Sequence, residues 1–293
     1  MATSNASTLT LSDGRVLSYT LASTPEKGPL ILLSNSLCAD QTSWDLVAAT
    51  LAANGFRALR YDQPGHGGSS APANLASTTF ETLADDVYAL LRHVSLSDGS
   101  STVSACGVSM GAATLVYFVA KYPGVLDKVV ICDTISSSPA RVGAPDVFGP
   151  RVAAARQASS MEQVLEGTRE RWFGRKWIEA NPGEAARMRT LMASATLDGF
   201  ETCCAALRDP GFDLKPLLGK VGAGCGGALL IVGEKDADLP VKMEEMRKGI
   251  EEGFRAAGKE NKVALKVIKD AGHVCYIDGF EDFTKELLSF LSS

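Results

Sequence analysis

The chain has 293 residues, 45% of them hydrophobic and 22% charged, which supports a large buried core and excludes wholesale disorder. A net charge of -5 at pH 7 argues against a nucleic-acid partner, because phosphate binding needs a concentrated basic face. No apolar run approaches the roughly 20 residues a membrane helix requires, so no membrane association is expected.

Taken in order, the first residues carry neither the basic stretch nor the apolar stretch of a secretory leader, so a cytoplasmic location is expected. Asn5-Ala-Ser7 matches a glycosylation acceptor but reads as a polar terminal segment. A hairpin is expected over 9–20, turning at Asp13-Gly14. Short β-branched runs then alternate with helical stretches: a strand at 29–33, a helix at 44–54 stopped by Gly55, a strand at 57–61, a helix at 80–93, a strand at 101–106, a helix at 110–122 stopped by Pro123, and a strand at 128–132. This rhythm implies βαβ units and a mainly parallel twisted sheet with helices on both faces. It breaks after Asp133. From 140 to 212 only helical segments are visible, punctuated by Pro150, Pro182 and Pro210. The Gly-rich stretch 222–227 reads as a loop into a strand at 228–232; a charged helix at 241–257, a strand at 263–268 and a helix at 280–291 follow. The organisation expected is an α/β core formed by 1–139 and 213–293, with 140–212 as a helical cap insertion.

Seven cysteines, an odd number in mostly apolar contexts, read as buried reduced thiols. The three histidines, at 66, 93 and 273, lie too far apart in sequence for a zinc set, and neither a metal nor an organic cofactor is expected. Homo-oligomerisation is left open.

Three motifs carry chemistry. Gly107-Val-Ser109-Met-Gly111 falls at a strand-to-helix turn, where a serine is lifted above the sheet as a nucleophile and the flanking glycines let strand and helix approach. Gly233-Glu-Lys-Asp236 follows a strand and offers a carboxylate on the same rim; Asp236 is preferred, with Asp238 and Asp133 as rivals. Asp270-Ala-Gly-His273 follows the last strand, so Ser, Asp and His occur in the chain order of α/β-hydrolases. His93 is read as a helix-end residue and His66, in Pro64-Gly-His-Gly, as structural. In the division of labour expected, His273 takes the Ser109 proton and Asp236 fixes the imidazole tautomer. The oxyanion is met by the N–H of Met110 and by one from the loop at Ser36 or Leu37.

Ser34-Asn-Ser-Leu, Tyr61-Asp-Gln-Pro-Gly-His-Gly, Gly107-Val-Ser-Met-Gly and Gly233-Glu-Lys-Asp resemble the 3-oxoadipate enol-lactonases of the α/β-hydrolase superfamily. Arg171-Trp-Phe, Asn181-Pro-Gly-Glu and the segment 199–209 are similar to that family's cap. The resemblance implies hydrolysis of a small enol-lactone to a keto acid, a step in aromatic-compound degradation. Such a substrate carries a carboxylate, and Arg169, Arg171, Arg175 and Lys176 surround Trp172, a pocket candidate. The alternatives weighed are a carboxylesterase or lactonase acting on another small-molecule ester in a biosynthetic pathway, a hydrolase-fold ligand receptor, and a non-hydrolytic enzyme of this fold.

Overall fold

The structure, a computed structural model, describes residues 6–22, 24–98, 102–260 and 263–293. Asn5 of the acceptor-like tripeptide and Ser101, the first residue of the strand expected at 101–106, lie outside the described residues. An eight-stranded sheet runs β1 (Ser7–Thr10), β2 (Val16–Leu21), β3 (Leu30–Ser34), β4 (Arg57–Tyr61), β5 (Val103–Val108), β6 (Lys128–Cys132), β7 (Gly227–Gly233) and β8 (Ala264–Ile268). Its spatial order is β1-β2-β4-β3-β5-β6-β7-β8; β1 and β2 are antiparallel and every pairing from β4 onward is parallel. β3 and β5 are buried along their whole length, as parallel strands covered on both faces must be.

Helices α1 (Asp45–Ala53), α2 (Phe80–Asp98) and α3 (Met110–Lys121) connect the first parallel strands. Because β4 lies on one side of β3 and β5 on the other, the loops leaving β3 and β5 diverge. A crevice at the carboxyl ends of strands where order reverses is where such sheets bind ligands.

Between β6 and β7 the chain forms α4 (Gly149–Ala158), α5 (Glu162–Phe173), α6 (Arg175–Ala180), α7 (Pro182–Met192) and α8 (Leu197–Arg208). This excursion leaves and re-enters the sheet at one place: Ser137 bridges Asp213, Ser138 N–H donates to Phe212 O, and Leu214 N–H donates to Ser136 O. α8 is moored by Thr196, whose N–H and hydroxyl both donate to Gly65 O, at 3.1 and 2.9 Å. A Cβ on Gly199 would sit 2.2 Å from the same carbonyl, so only glycine allows this contact.

The Gly-rich stretch corrects the loop expected there. α9 (Leu218–Gly224) is a helix packed on α10 (Leu239–Ala256). A Cβ on Gly222 would lie 2.3 Å from Phe254 N, and one on Gly253 would lie 2.3 Å from Gly219 O. The glycines serve close backbone approach between two helices, which outweighs their low helix propensity. Two short elements close the chain, α11 (Cys275–Asp278) and α12 (Phe280–Leu291). All seven cysteines are free and buried. No helix among the described residues is long and apolar enough to cross a membrane.

Candidate active site

Ser109 occupies the first position after β5 and caps α3 with φ 55° and ψ −119°, a strained conformation for a residue with a side chain. Its main chain is held from both directions: Ser109 N–H donates to Cys132 O at 2.8 Å, and Ala113 N–H donates to Ser109 O at 3.0 Å. The glycines around it are obligatory. A Cβ on Gly111 would lie 2.3 Å from Ser34 O, and one on Gly107 would lie 2.6 Å from Gly111 O. The strand expected at 101–106 extends through Val108, which puts the serine directly on the end of the sheet.

The imidazole of His273, in the loop between β8 and α11, has Nε2 2.9 Å from Ser109 Oγ and Nδ1 2.7 Å from Asp236 Oδ2. Both partners of the second contact are largely shielded, with 17% and 12% of their side chains exposed. Asp236 sits in a tight turn after β7, where Ala237 adopts φ 47° and Leu239 N–H donates to Asp236 O.

The rivals make other contacts. Asp238 lines the wall of the space over Ser109, but it is exposed and pairs with Lys242 one helical turn on. Asp133 is fully buried; its Oδ1 accepts Gly233 N–H at 2.8 Å and its Oδ2 accepts from the Cys275 thiol at 2.9 Å. Burial, and then the charge of Asp236, push its pKa well up, which disfavours the carboxylate that a triad acid must supply. Neither contacts His273 in this arrangement.

Ser36, Leu37 and Met110 line a cavity of about 230 Å³ together with Ser109, Asp236 and His273. The N–H of Met110 belongs to the first turn of α3, where no intrahelical acceptor exists. The loop at 36–38 is shaped by Cys38, with φ 67°, whose N–H donates to His66 Nε2 at 3.1 Å. His66 Nδ1 lies 3.0 Å from Pro64 O and donates to it, which fixes the neutral tautomer, and complete burial lowers the histidine pKa to match. His66 is thus structural, and what it supports is the loop facing the serine. His93, expected at a helix end, lies within α2, which runs on to Asp98; it is exposed and touches Tyr19.

Trp172 lines the same cavity, with its indole buried and its ring centroid 6.1 Å from that of His273. Of the four cations expected near it, Arg169 pairs with Glu166 and Arg175 with Glu170, and Lys176 is exposed and off the cavity. Arg171 alone faces the cavity, beside Arg151, a residue of α4 that the sequence reading did not single out. Neither guanidinium makes an ion pair or hydrogen bond with another described residue. Crowding by the surrounding protein and the nearby charge of Arg151 push the Arg171 pKa down. A larger depression of about 500 Å³ lies apart from the triad residues, and its Arg208 is already paired with Asp146.

Residues 31–286 match the sequence model of the alpha/beta hydrolase family. The chain belongs to that family. Relatives of this alpha/beta hydrolase include 3-oxoadipate enol-lactonases 1 and 2 of Acinetobacter baylyi. The first is 29% identical over 68% of this chain and 70% of its own length, the second 27% identical over 71% and 72%. Among solved structures, the enol-lactonase of Burkholderia xenovorans LB400 superposes with a TM-score of 0.81 at 28% identity, over 98% of this chain and all of the other.

Proposed function

We propose that this protein is a serine hydrolase that opens a small, carboxylate-bearing lactone, of the 3-oxoadipate enol-lactone type, through an acyl-enzyme on Ser109. The observation that carries the reading is the continuous chain Ser109 Oγ, His273 Nε2, His273 Nδ1 and Asp236 Oδ2, on a cavity that also presents the unpaired Arg151 and Arg171. The relatives named as enol-lactonases support the substrate class.

In this mechanism His273 Nε2 accepts the Ser109 proton as Oγ attacks the lactone carbonyl. The imidazolium keeps its Nδ1–H on Asp236, which remains ionised. The negative charge on the carbonyl oxygen is met by the Met110 N–H and by an N–H of the Ser36–Leu37 segment, each such donor contributing about 3 kcal/mol at the transition state. Collapse expels the enolate oxygen, which takes a proton and tautomerises to a ketone. Water, deprotonated by His273, then releases the keto acid and regenerates the serine. The 140–212 segment acts as the cap, and α4 and α5 bring Arg151 and Arg171 to the substrate carboxylate. A cavity of about 230 Å³ suits a ligand smaller than the drug-sized molecules of most pockets.

The test is the ultraviolet change on opening of the enol-lactone, run beside hydrolysis of 4-nitrophenyl acetate. Efficient lactone opening that is lost in Ser109→Ala is expected. Good aryl-ester turnover with negligible lactone opening would replace the specific assignment by that of a carboxylesterase.

A further inference from the structure

We propose that the groove between α4 and α5 is an apolar subsite for a hydrocarbon arm of a carboxylate-bearing substrate, whose carboxylate sits on Arg151 and Arg171. The catalytic use of the subsite rests on the function proposed above; its ability to bind does not.

The groove has a volume of about 350 Å³ and shares Arg151, Thr168 and Arg171 with the cavity at Ser109, so these three residues stand where the two spaces meet. Beyond the two cations its wall carries no charged side chain: Ala154, Ala158, Val164 and Gly167 form the sides, and Ser160 and Gln163 lie among the residues toward the α4–α5 turn. Thr168, only 4% exposed, belongs to the walls of both spaces. An anion held between the two guanidiniums would relieve the repulsion between Arg151 and Arg171.

Gly167 supports the same reading. It lies in the middle of α5, where glycine is unfavourable relative to alanine. Nothing lies within 4 Å of where its Cβ would be, so no neighbouring backbone requires a glycine there. Its absence of a side chain leaves the groove open opposite Ala154 and Ala158.

Calorimetric titration of octanoate and of acetate into the intact protein tests the proposal. Octanoate is expected to bind on the order of ten-fold tighter, or more, since each fully buried methylene adds roughly a factor of four. Gly167→Leu and, from the opposite wall, Ala154→Leu should bring octanoate down to the affinity of acetate while the thermal midpoint stays within a few degrees of the parent. Gly183→Leu on α7, where the added side chain also meets open space, should leave the octanoate preference intact. Equal binding of the two acids, or a preference that survives both groove substitutions, overturns the subsite. Selective binding by a protein that hydrolyses neither the enol-lactone nor 4-nitrophenyl acetate would leave the subsite standing and remove the hydrolase reading. Turnover without selectivity would do the reverse.

Discussion

The backbone N–H of His273 donates to the carbonyl of Trp172 at 3.0 Å, so the loop carrying the imidazole is tied to the last turn of α5. Helical excursion and sheet therefore meet at the residue that touches Ser109 Oγ. Gly272 makes the tie feasible, because a Cβ at that position would lie 1.9 Å from Trp172 O. Gly272→Ala must push the two segments apart. With the imidazole displaced, kcat for 4-nitrophenyl acetate is expected to fall by about 10- to 100-fold, by analogy with other misplaced catalytic groups. Steady-state kinetics together with circular dichroism separate this loss from unfolding.

Asp236→Asn keeps the shape of the acid but presents the wrong partner to His273 Nδ1. A loss of about four orders of magnitude in kcat is expected, as in the chymotrypsin-type triad. Asp238→Asn removes a carboxylate on the cavity wall and its exposed pairing with Lys242 but no contact to His273, and should change kcat by less than about two-fold. A large loss for the second variant and a small one for the first would reassign the acid.

Arg171→Met removes one of the two unpaired guanidiniums on the cavity. The kcat/KM for a carboxylate-bearing lactone should fall by about ten-fold more than that for 4-nitrophenyl acetate, mainly through KM, as a charge-assisted contact to the substrate predicts. Equal losses for both substrates would argue against carboxylate recognition.

Asp278 gives the fold a dependence on pH. Its Oδ2 accepts Gly272 N–H at 2.7 Å, its Oδ1 is buried without a partner, and burial pushes its pKa up to about 6. Between the unfolded carboxyl value near 4 and that raised value, the folded state holds the proton more tightly than the unfolded chain. Stability due to this group is therefore present at low pH and lost as pH rises through about 6. Asp278→Asn still offers an oxygen to Gly272 and has no charge to desolvate. Relative to the parent it should gain about 1–3 kcal/mol between pH 4 and pH 7, read from urea unfolding at each pH. A difference that stays flat across that window would contradict the assignment.

How far the site is legible without coordinates depends on what carries each part. The alternation of short β-branched runs with amphipathic stretches is a local pattern, and it marks the parallel sheet and the strand ends on which residues 109, 236 and 273 stand. The choice among Asp133, Asp236 and Asp238 is not local. All three follow strands or turns, and only the packing of Asp133 under Gly233 and Cys275, with Asp238 turned to Lys242, separates them. Arg151 has no motif around it and reaches the cavity through the crossing of α4 and α5. Arg169 and Arg175, which sit in the suggestive stretch, are taken by Glu166 and Glu170. The Trp172 contribution through its main chain leaves no trace in side-chain pattern. The glycines of α9 mislead because glycine serves loops and close helix contacts alike.

Everything in the proposed mechanism turns on Ser109, activated by His273, forming a covalent acyl intermediate. Rapid mixing with 4-nitrophenyl acetate, followed by acid quench and peptide mass spectrometry, tests it most directly. A burst of nitrophenolate is expected, with an acetyl group located on Ser109 and both lost in Ser109→Ala. Acetylation at another residue, or steady ester hydrolysis undiminished in Ser109→Ala, would contradict it.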